Sequence, residues 1–177
     1  MNDTAITLPG PTATVAAGFD ALYRACAADV FAYAVSLLRD RAAAEEVTAA
    51  AFERAFRRRT SFDSRRGTQR AWLFGIARNA ALDELRRRRR SAALAFEPAD
   101  DVAAPGEDDE EALARRVTVR TALATLDPHA RELVALKFHA GLGNDEIAAV
   151  LQISPSNAGT RLHRALSQLR EACHATH

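Results

Sequence analysis

The chain has 177 residues, 48% hydrophobic and 27% charged, with a formal net charge of +1. That is apolar material for one medium domain or two small ones. No run approaches the ~20 apolar residues of a membrane span, so membrane insertion is not expected. Two distant cysteines, Cys26 and Cys173, argue against a disulfide framework, and the five histidines lack metal-ligand spacing. Neither a structural metal nor a cofactor is expected. The N-terminus MNDTAITLPGPTATVAAG has no basic start and no long apolar core. It reads as a polar tail, residues 1–17, in a protein of the reducing cytoplasm.

The near-zero net charge hides segregation. Residues 19–90 hold 16 Arg against nine acidic residues, and residues 91–111 hold eight acidic residues and no basic one. Residues 112–177 are again basic, with eight basic and five acidic side chains. Two basic lobes around an acidic joint suit a polyanion-binding protein.

Nearly every segment carries the 3.6-residue period, and no sustained strand pattern occurs. Helices are predicted at about 18–38, 43–58, 68–90, 111–125, 128–139, 144–151 and 155–172. Leu22, Cys26, Val30, Ala34 and Leu37 give the first an apolar face. Phe52 and Phe56 form an i,i+4 pair on the second. Thr68 is placed to cap the third, with Trp72, Leu73, Ile76, Ala80 and Leu85 facing a core. The segment SAALAFEPADDVAAPGEDDEE, residues 91–111, is a linker by composition. Asp127-Pro128 marks a fresh helix start, and Asn144 is read as the cap of a short helix. The fold class is all-α: two small helical domains, 18–90 and 112–173, joined by a flexible acidic linker.

Two motifs carry chemistry. In GLGNDEIAAVLQISPSNAGTRLHRALSQLR, a short helix, a turn at Gln152-Ile153-Ser154 and a second helix follow one another. The second helix turns Ala158, Leu162, Ala165, Leu166 and Leu169 to one side. Asn157, Thr160, Arg164 and Ser167 point the other way, flanked by Ser156, Arg161 and His163. Hydrogen-bonding and cationic groups without an acid suit a helix entering a major groove, although a solvated helical hairpin shows the same pattern. The second motif is TSFDSRRGTQRAWLFGIARNAALDELRRRRR, residues 60–90. Arginines interleaved with Phe62, Trp72 and Phe74 suit single-stranded nucleic acid, where bases stack and phosphates are neutralised; core packing is the plainer reading of each aromatic alone. An enzyme would need a preorganised cluster of carboxylates or a nucleophile–base pair, and the densest acids, Asp108–Glu111, lie in the linker.

Together the two motifs resemble the extracytoplasmic-function (ECF) group of bacterial RNA polymerase sigma factors, in the sigma-70 family. AWLFGIARNAALDELRRRRR is similar to the region 2 promoter-melting helix, and LATLDPHARELVALKFHAGLGNDEIAAVLQIS…TRLHRALSQLR to region 4. The resemblance implies that Phe62–Gly67, with Ser64, Arg65 and Arg66, form a loop capturing a flipped −10 base. It implies that Arg78, Asn79, Asp83, Arg86 and Arg87 lie along upstream −10 DNA, and that Ser156, Asn157, Thr160, Arg161, His163 and Arg164 meet the −35 element. AAAEEVTAAAFERAF resembles the region that docks on the polymerase β′ clamp, leaving Glu45, Glu46 and Glu53 for that contact. Ala49 and Ala50 stand where the family carries polar or acidic residues, Gln152 replaces a turn glycine, and Gly159 stands where a cation is usual. The implied function is promoter recognition, melting and transcription initiation without catalysis, for a stress or envelope-response regulon. The implied partners are core RNA polymerase (β′ clamp and β flap), promoter DNA and an anti-sigma factor. The alternative is an autonomous helix-turn-helix regulator.

Overall fold

The computed structural model describes residues 11–92 and 110–175, with side chains described for residues 18–91 and 117–174. Among these residues seven α-helices follow in chain order: α1 Pro11–Leu38, α2 Arg41–Arg57, α3 Gln69–Ala92, α4 Glu110–Thr125, α5 Pro128–Phe138, α6 Asn144–Leu151 and α7 Pro155–Ala175. Two 3-10 turns, Arg59–Ser61 and Ser64–Arg66, lie between α2 and α3. No strand occurs among the described residues. α1 begins at Pro11, inside the stretch read as tail, because Pro suits a first helical turn and no breaker follows before Gly18. Residues 1–10 and most of the acidic linker, 93–109, lie outside the described residues.

The caps show why these segments start where they do. The Asp40 carboxylate accepts from the Ala43 N–H at 3.0 Å, and Thr68 Oγ1 accepts from the Ala71 N–H at 3.1 Å. Asp127 accepts from the N–H groups of His129 and Ala130 ahead of Pro128. Ser154 Oγ accepts from the Asn157 N–H at 3.3 Å. At α6 the cap differs from expectation. Gly143, not Asn144, holds the N-cap position, and Glu146 reaches back to accept the Gly143 N–H at 2.9 Å. Glycine is tolerated there, and the acid three residues on supplies the missing acceptor. Between helices the chain turns through left-handed backbone at Arg39 (φ 53), Gly141 (φ 64) and Gln152 (φ 57).

α1, α2 and α3 pack on one another as the first lobe. α1 contributes Leu22, Cys26, Val30, Tyr33, Ala34 and Leu38, all buried. α3 contributes Leu73, Phe74, Ile76, Ala77, Ala80 and Ala81. α2 faces both with Ala43, Ala44, Val47, Ala51, Phe52 and Ala55, and its alanines let the helices approach closely. Phe74 is fully buried, and of the α2 aromatic pair Phe52 is buried while Phe56 is 43% exposed against Phe19. The segment Gly18–Leu38 has the length and mean hydropathy that a membrane span would need. Its alanines, leucines and valines raise the hydropathy without forming an unbroken apolar run, and one face is packed on α2 and α3.

α4, α5, α6 and α7 form the second lobe around Leu126, Ala130, Leu133, Val134, Leu136, Ile147, Ala148, Ala158, Leu162 and Ala165. The two lobes are packed together, with α5 against α1 and α6 against α3. A single apolar cluster runs from Leu22, Val30 and Leu73 in the first lobe to Leu136, Ile147 and Leu162 in the second. Burying each large apolar side chain is worth roughly 1.5–3 kcal/mol, so the junction belongs to the core.

Candidate nucleic-acid interface

The loop before α3 is built by short-range hydrogen bonds. Asp63 accepts from the Arg65 N–H at 3.0 Å and from Arg65 Nε at 3.1 Å, closing the second 3-10 turn. The Arg65 guanidinium holds the Asp63 carboxyl below its ordinary range. Gly67, at φ 143, then takes backbone that a side chain rarely adopts and delivers the chain to Thr68. This places the Phe62 ring 5.6 Å from Trp72, tilted by 55°. Ser64, Arg65 and Arg66 are exposed around it.

Phe62 and Trp72 line a recess of about 510 Å³ with Asp63, Arg66, Arg78 and Asn79. Its size is ordinary for a small-ligand or base-sized site. Ala149, Val150 and Gln152 of the second lobe form its far wall.

α3 has three distinct sides. At about 100° per residue, Trp72, Asn79, Asp83, Arg86 and Arg90 fall within one sector, with Arg78 and Arg87 on opposite flanks. Asn79 and Arg86 are exposed. Asp83 lies between Arg54 at 3.3 Å and Arg86 at 3.1 Å. Arg87 pairs with Glu84 at 2.7 Å and shares a shallow recess with Glu46, Ala50 and Arg54 on the α2 side. Arg88 binds Asp40 at 2.6 Å and Glu84 at 2.8 Å, tying α3 to the start of α2. Both carboxyls sit below their ordinary range: Asp40 first through the Ala43 N–H and then Arg88, Glu84 first through Arg87. Arg78 points the other way, toward α5, where its Nε donates to Glu132 at 2.8 Å. Of the residues expected along −10 DNA, the structure therefore groups Asn79, Asp83 and Arg86 on one open face and sets Arg78 and Arg87 to either side.

On α7 the expected reading residues are together. Ser156, Thr160, Arg161, His163 and Arg164 are exposed, and Asn157 is half-buried at the first turn. Thr160 Oγ1 donates back to the Ser156 carbonyl at 3.0 Å. Neither Arg161 nor Arg164 forms an ion pair with the described residues. The helix is held from behind by Ala158, Leu162 and Ala165. On α2, Glu45, Glu46 and Glu53 are all exposed; Glu45 pairs with Arg41 at 3.3 Å and Glu53 with Arg57 at 2.6 Å.

Sequence reasoning missed the group that joins the lobes. Tyr33 Oη donates to Glu132 Oε1 at 3.2 Å, the atom that Arg78 also binds. Burial and the Glu132 charge push the Tyr33 hydroxyl well above its usual range. Nearby, Arg70 donates to the main-chain carbonyls of His139 and Ala140, contacts Cys26, and pairs with Asp29. Thr68 Oγ1 donates to Glu146. The available signal was Glu132 itself, an acid among Ala130, Leu133, Val134, Ala135 and Leu136, the buried residues of α5.

Family comparisons divide the chain in the same way. Residues 22–91 match the model "Sigma-70 region 2" and residues 116–169 match "Sigma-70, region 4". The chain is 32% identical over 162 residues to the ECF RNA polymerase sigma factor SigL of Mycobacterium tuberculosis, covering 91% of this chain and 92% of that one. It is 36% identical over 157 residues to the RNA polymerase sigma factor CarQ of Myxococcus xanthus, covering 86% and 87%. Two solved structures share the arrangement. One is the sigma factor RpoE in complex with the anti-sigma factor NepR from Bartonella quintana, with a TM-score of 0.75 at 23% identity over 88% of this chain and 96% of that one. The other is CnrH in complex with the cytosolic domain of CnrY, with a TM-score of 0.65 at 29% identity over 92% and 94%.

Proposed function

This chain belongs to the ECF RNA polymerase sigma factors, and from that premise we propose how its own residues divide the work of initiation. A sigma factor supplies promoter recognition, and the polymerase supplies the chemistry. The observation that carries the division is the presence, in one chain, of an aromatic recess beside the arginine-rich α3 and of an exposed cationic face on α7.

The recess takes the −10 element. Exposing a base costs a few kcal/mol, and stacking on an aromatic ring returns about 1–3 kcal/mol per base. Phe62 and Trp72 supply that stacking surface, Arg65 and Arg66 neutralise flanking phosphates, and Asn79 and Arg86 continue the track along α3. Asp83 orients Arg54 and Arg86 and does not itself attract phosphate. Arg78 and Arg87 reach DNA from the flanks of the row. On α7, Thr160, Arg161, His163 and Arg164 enter the −35 major groove with Ser156 and Asn157 at its edge, the geometry of a recognition helix.

Glu45, Glu46 and Glu53 form the acidic side of the α2 surface offered to the β′ clamp. Ala49 and Ala50 on the same surface leave it weakly charged, which favours modest affinity for core polymerase. An anti-sigma factor is a further partner by analogy with the RpoE–NepR complex. The protein acts in the cytoplasm, where its polymerase is.

Open-complex formation by purified core polymerase on promoter DNA tests the reading. The chain is expected to make opening possible, and Arg164→Ala to weaken −35-dependent initiation while core binding persists. A chain that binds duplex DNA tightly by itself but never associates with core would overturn it in favour of an autonomous regulator.

A further inference from the structure

Three arginines meet where the end of α1 faces α4 and α5. Arg39, Arg120 and Arg131 line a recess of about 150 Å³ together with Val35, Ser36 and Leu123. No carboxylate of the described residues lines it. None of the three arginines forms an ion pair with the described residues. Arg131 is fixed in place. Its Nε donates to the Leu123 carbonyl at 3.0 Å, and its Nη2 to those of Ala124 and Leu126 at 3.3 and 2.8 Å. These contacts close the C-terminal end of α4 and leave Nη1 with no hydrogen-bond partner among the described residues. Burial first, and the Arg39 charge second, hold the Arg131 guanidinium below its ordinary range, while Asp127 acts in the opposite direction. The Asp127 carboxylate itself is engaged in capping α5 through the N–H groups of His129 and Ala130.

Arg39 is held there by unusual backbone. It is left-handed, at φ 53, in the turn between α1 and α2, where glycine is the common choice. Its N–H closes α1 on the Val35 carbonyl at 2.9 Å. Like charges brought together without an acid repel one another, and a side chain on left-handed backbone adds strain. Backbone outliers of this kind gather at ligand clamps and other functional sites.

We propose that Arg39, Arg120 and Arg131 form a binding site for a diphosphate group, separate from both promoter surfaces. None of the three belongs to the −10 row of α3 or to the reading face of α7. The guanidinium fork matches phosphate oxygens, and a recess lined by one sign of charge concentrates its counter-ion. A diphosphate carries several negative charges in a compact body. That suits three converging guanidiniums better than a monovalent anion or a single phosphodiester does. The recess is smaller than the roughly 300–1,000 Å³ of sites that enclose a drug-sized ligand. It therefore takes the charged group and leaves any attached nucleoside at its mouth. The three arginines are far apart in the sequence and come together only in the folded chain, so the ligand stabilises that chain by mass action.

The test uses the full chain and sodium pyrophosphate at fixed ionic strength without divalent metal. Melting temperature and titration calorimetry are read together. A saturable rise in melting temperature and one-to-one binding are expected. Arg120→Gln is expected to weaken binding by about tenfold, the loss of one charge-assisted contact. Arg39→Gly removes a second guanidinium and also relieves the left-handed backbone. It should melt at least as high as the native chain without ligand, while its response to pyrophosphate falls. Those opposite movements separate a lost ligand contact from lost folding. Arg131 is left unchanged because it holds the end of α4. Adenosine diphosphate, titrated in parallel, distinguishes two sources of the group. Equal affinity assigns the free anion, and tighter binding assigns a nucleotide whose base rests on Val35 and Leu123. An equal response in the native chain and both variants would overturn the site, as would no response in the native chain. Loss of duplex DNA affinity in both variants without any pyrophosphate binding would also overturn it, returning the three arginines to the DNA-binding surface.

Discussion

Gln152 ends α6 at φ 57 and ψ 44, a left-handed conformation that costs a side-chain-bearing residue roughly 1 kcal/mol. Gln152→Gly is therefore expected to stabilise the second lobe by up to about 1 kcal/mol, read as a higher urea midpoint at unchanged m-value. A lower midpoint would mean that the side chain, which also borders the recess, makes contacts worth more than the strain. Gly159 poses the opposite case. It lies in helical backbone, and a Cβ there would meet only Asn144 Nδ2, at an ordinary contact distance of 3.5 Å. The glycine thus faces the first turn of α6. Gly159→Ala is expected to add about 1 kcal/mol of stability, and Gly159→Arg to steepen the salt dependence of DNA binding by about one phosphate contact. A folded Gly159→Arg variant with an unchanged salt slope would show that its side chain cannot reach the backbone. Both positions were legible as anomalies in the sequence. The sign of each was not, because it depends on a backbone angle in one case and on a neighbour from another helix in the other.

Three successive arginines on α3 carry different expected consequences. Arg86 lies on the open face beside Asn79 and, among the described residues, pairs only with Asp83, at 3.1 Å. Arg87 is turned toward Glu84 and the Glu46 side of α2. Arg88 is drawn inward to Asp40 and Glu84. Arg86→Ala should reduce −10-dependent open-complex formation with little change in melting temperature. Arg87→Ala should reduce opening less. Arg88→Ala should lower the stability of the first lobe by about 1 kcal/mol, since its partners are only partly shielded from water. Equal loss of promoter opening in all three would show that the cluster acts as an undirected cationic patch. The run RRRRR announced a basic helix end, but no run of identical residues states which member faces what. Periodicity separates them only once α2 and α5 are known to flank α3. The caps at Thr68 and Asp127 were more legible because each acts within its own turn.

At the scale of the whole molecule, the order of the two lobes and the exposed face of α7 follow from local pattern, whereas their mutual packing does not. That packing rests on Tyr33, Arg70 and Glu132, separated by up to 99 residues in the chain, and each alone resembles an ordinary core or surface residue. The junction also contains a titratable group whose effect has a definite sign. His139 ends α5 against the first lobe, and its carbonyl accepts from Arg70. Burial depresses its imidazole pKa below the ordinary 6.5, while the Asp29 carboxylate acts weakly in the other direction. The packed state thus binds this proton less readily than the unfolded chain does. Stability from this group is complete above about pH 6.5 and declines as the pH falls below it, levelling off once the folded-state pKa is passed. The titration of Asp40 and Glu84, whose pKa values are also lowered, begins nearer pH 4.5 and lies mostly outside that window. His139→Gln keeps the carbonyl that Arg70 holds and removes the ionisable ring. Thermal unfolding between pH 7 and pH 5.5 should therefore show a falling midpoint in the native chain and a flatter profile in the variant. Parallel profiles would show that protonation at the lobe junction is not what weakens the closed molecule in acid.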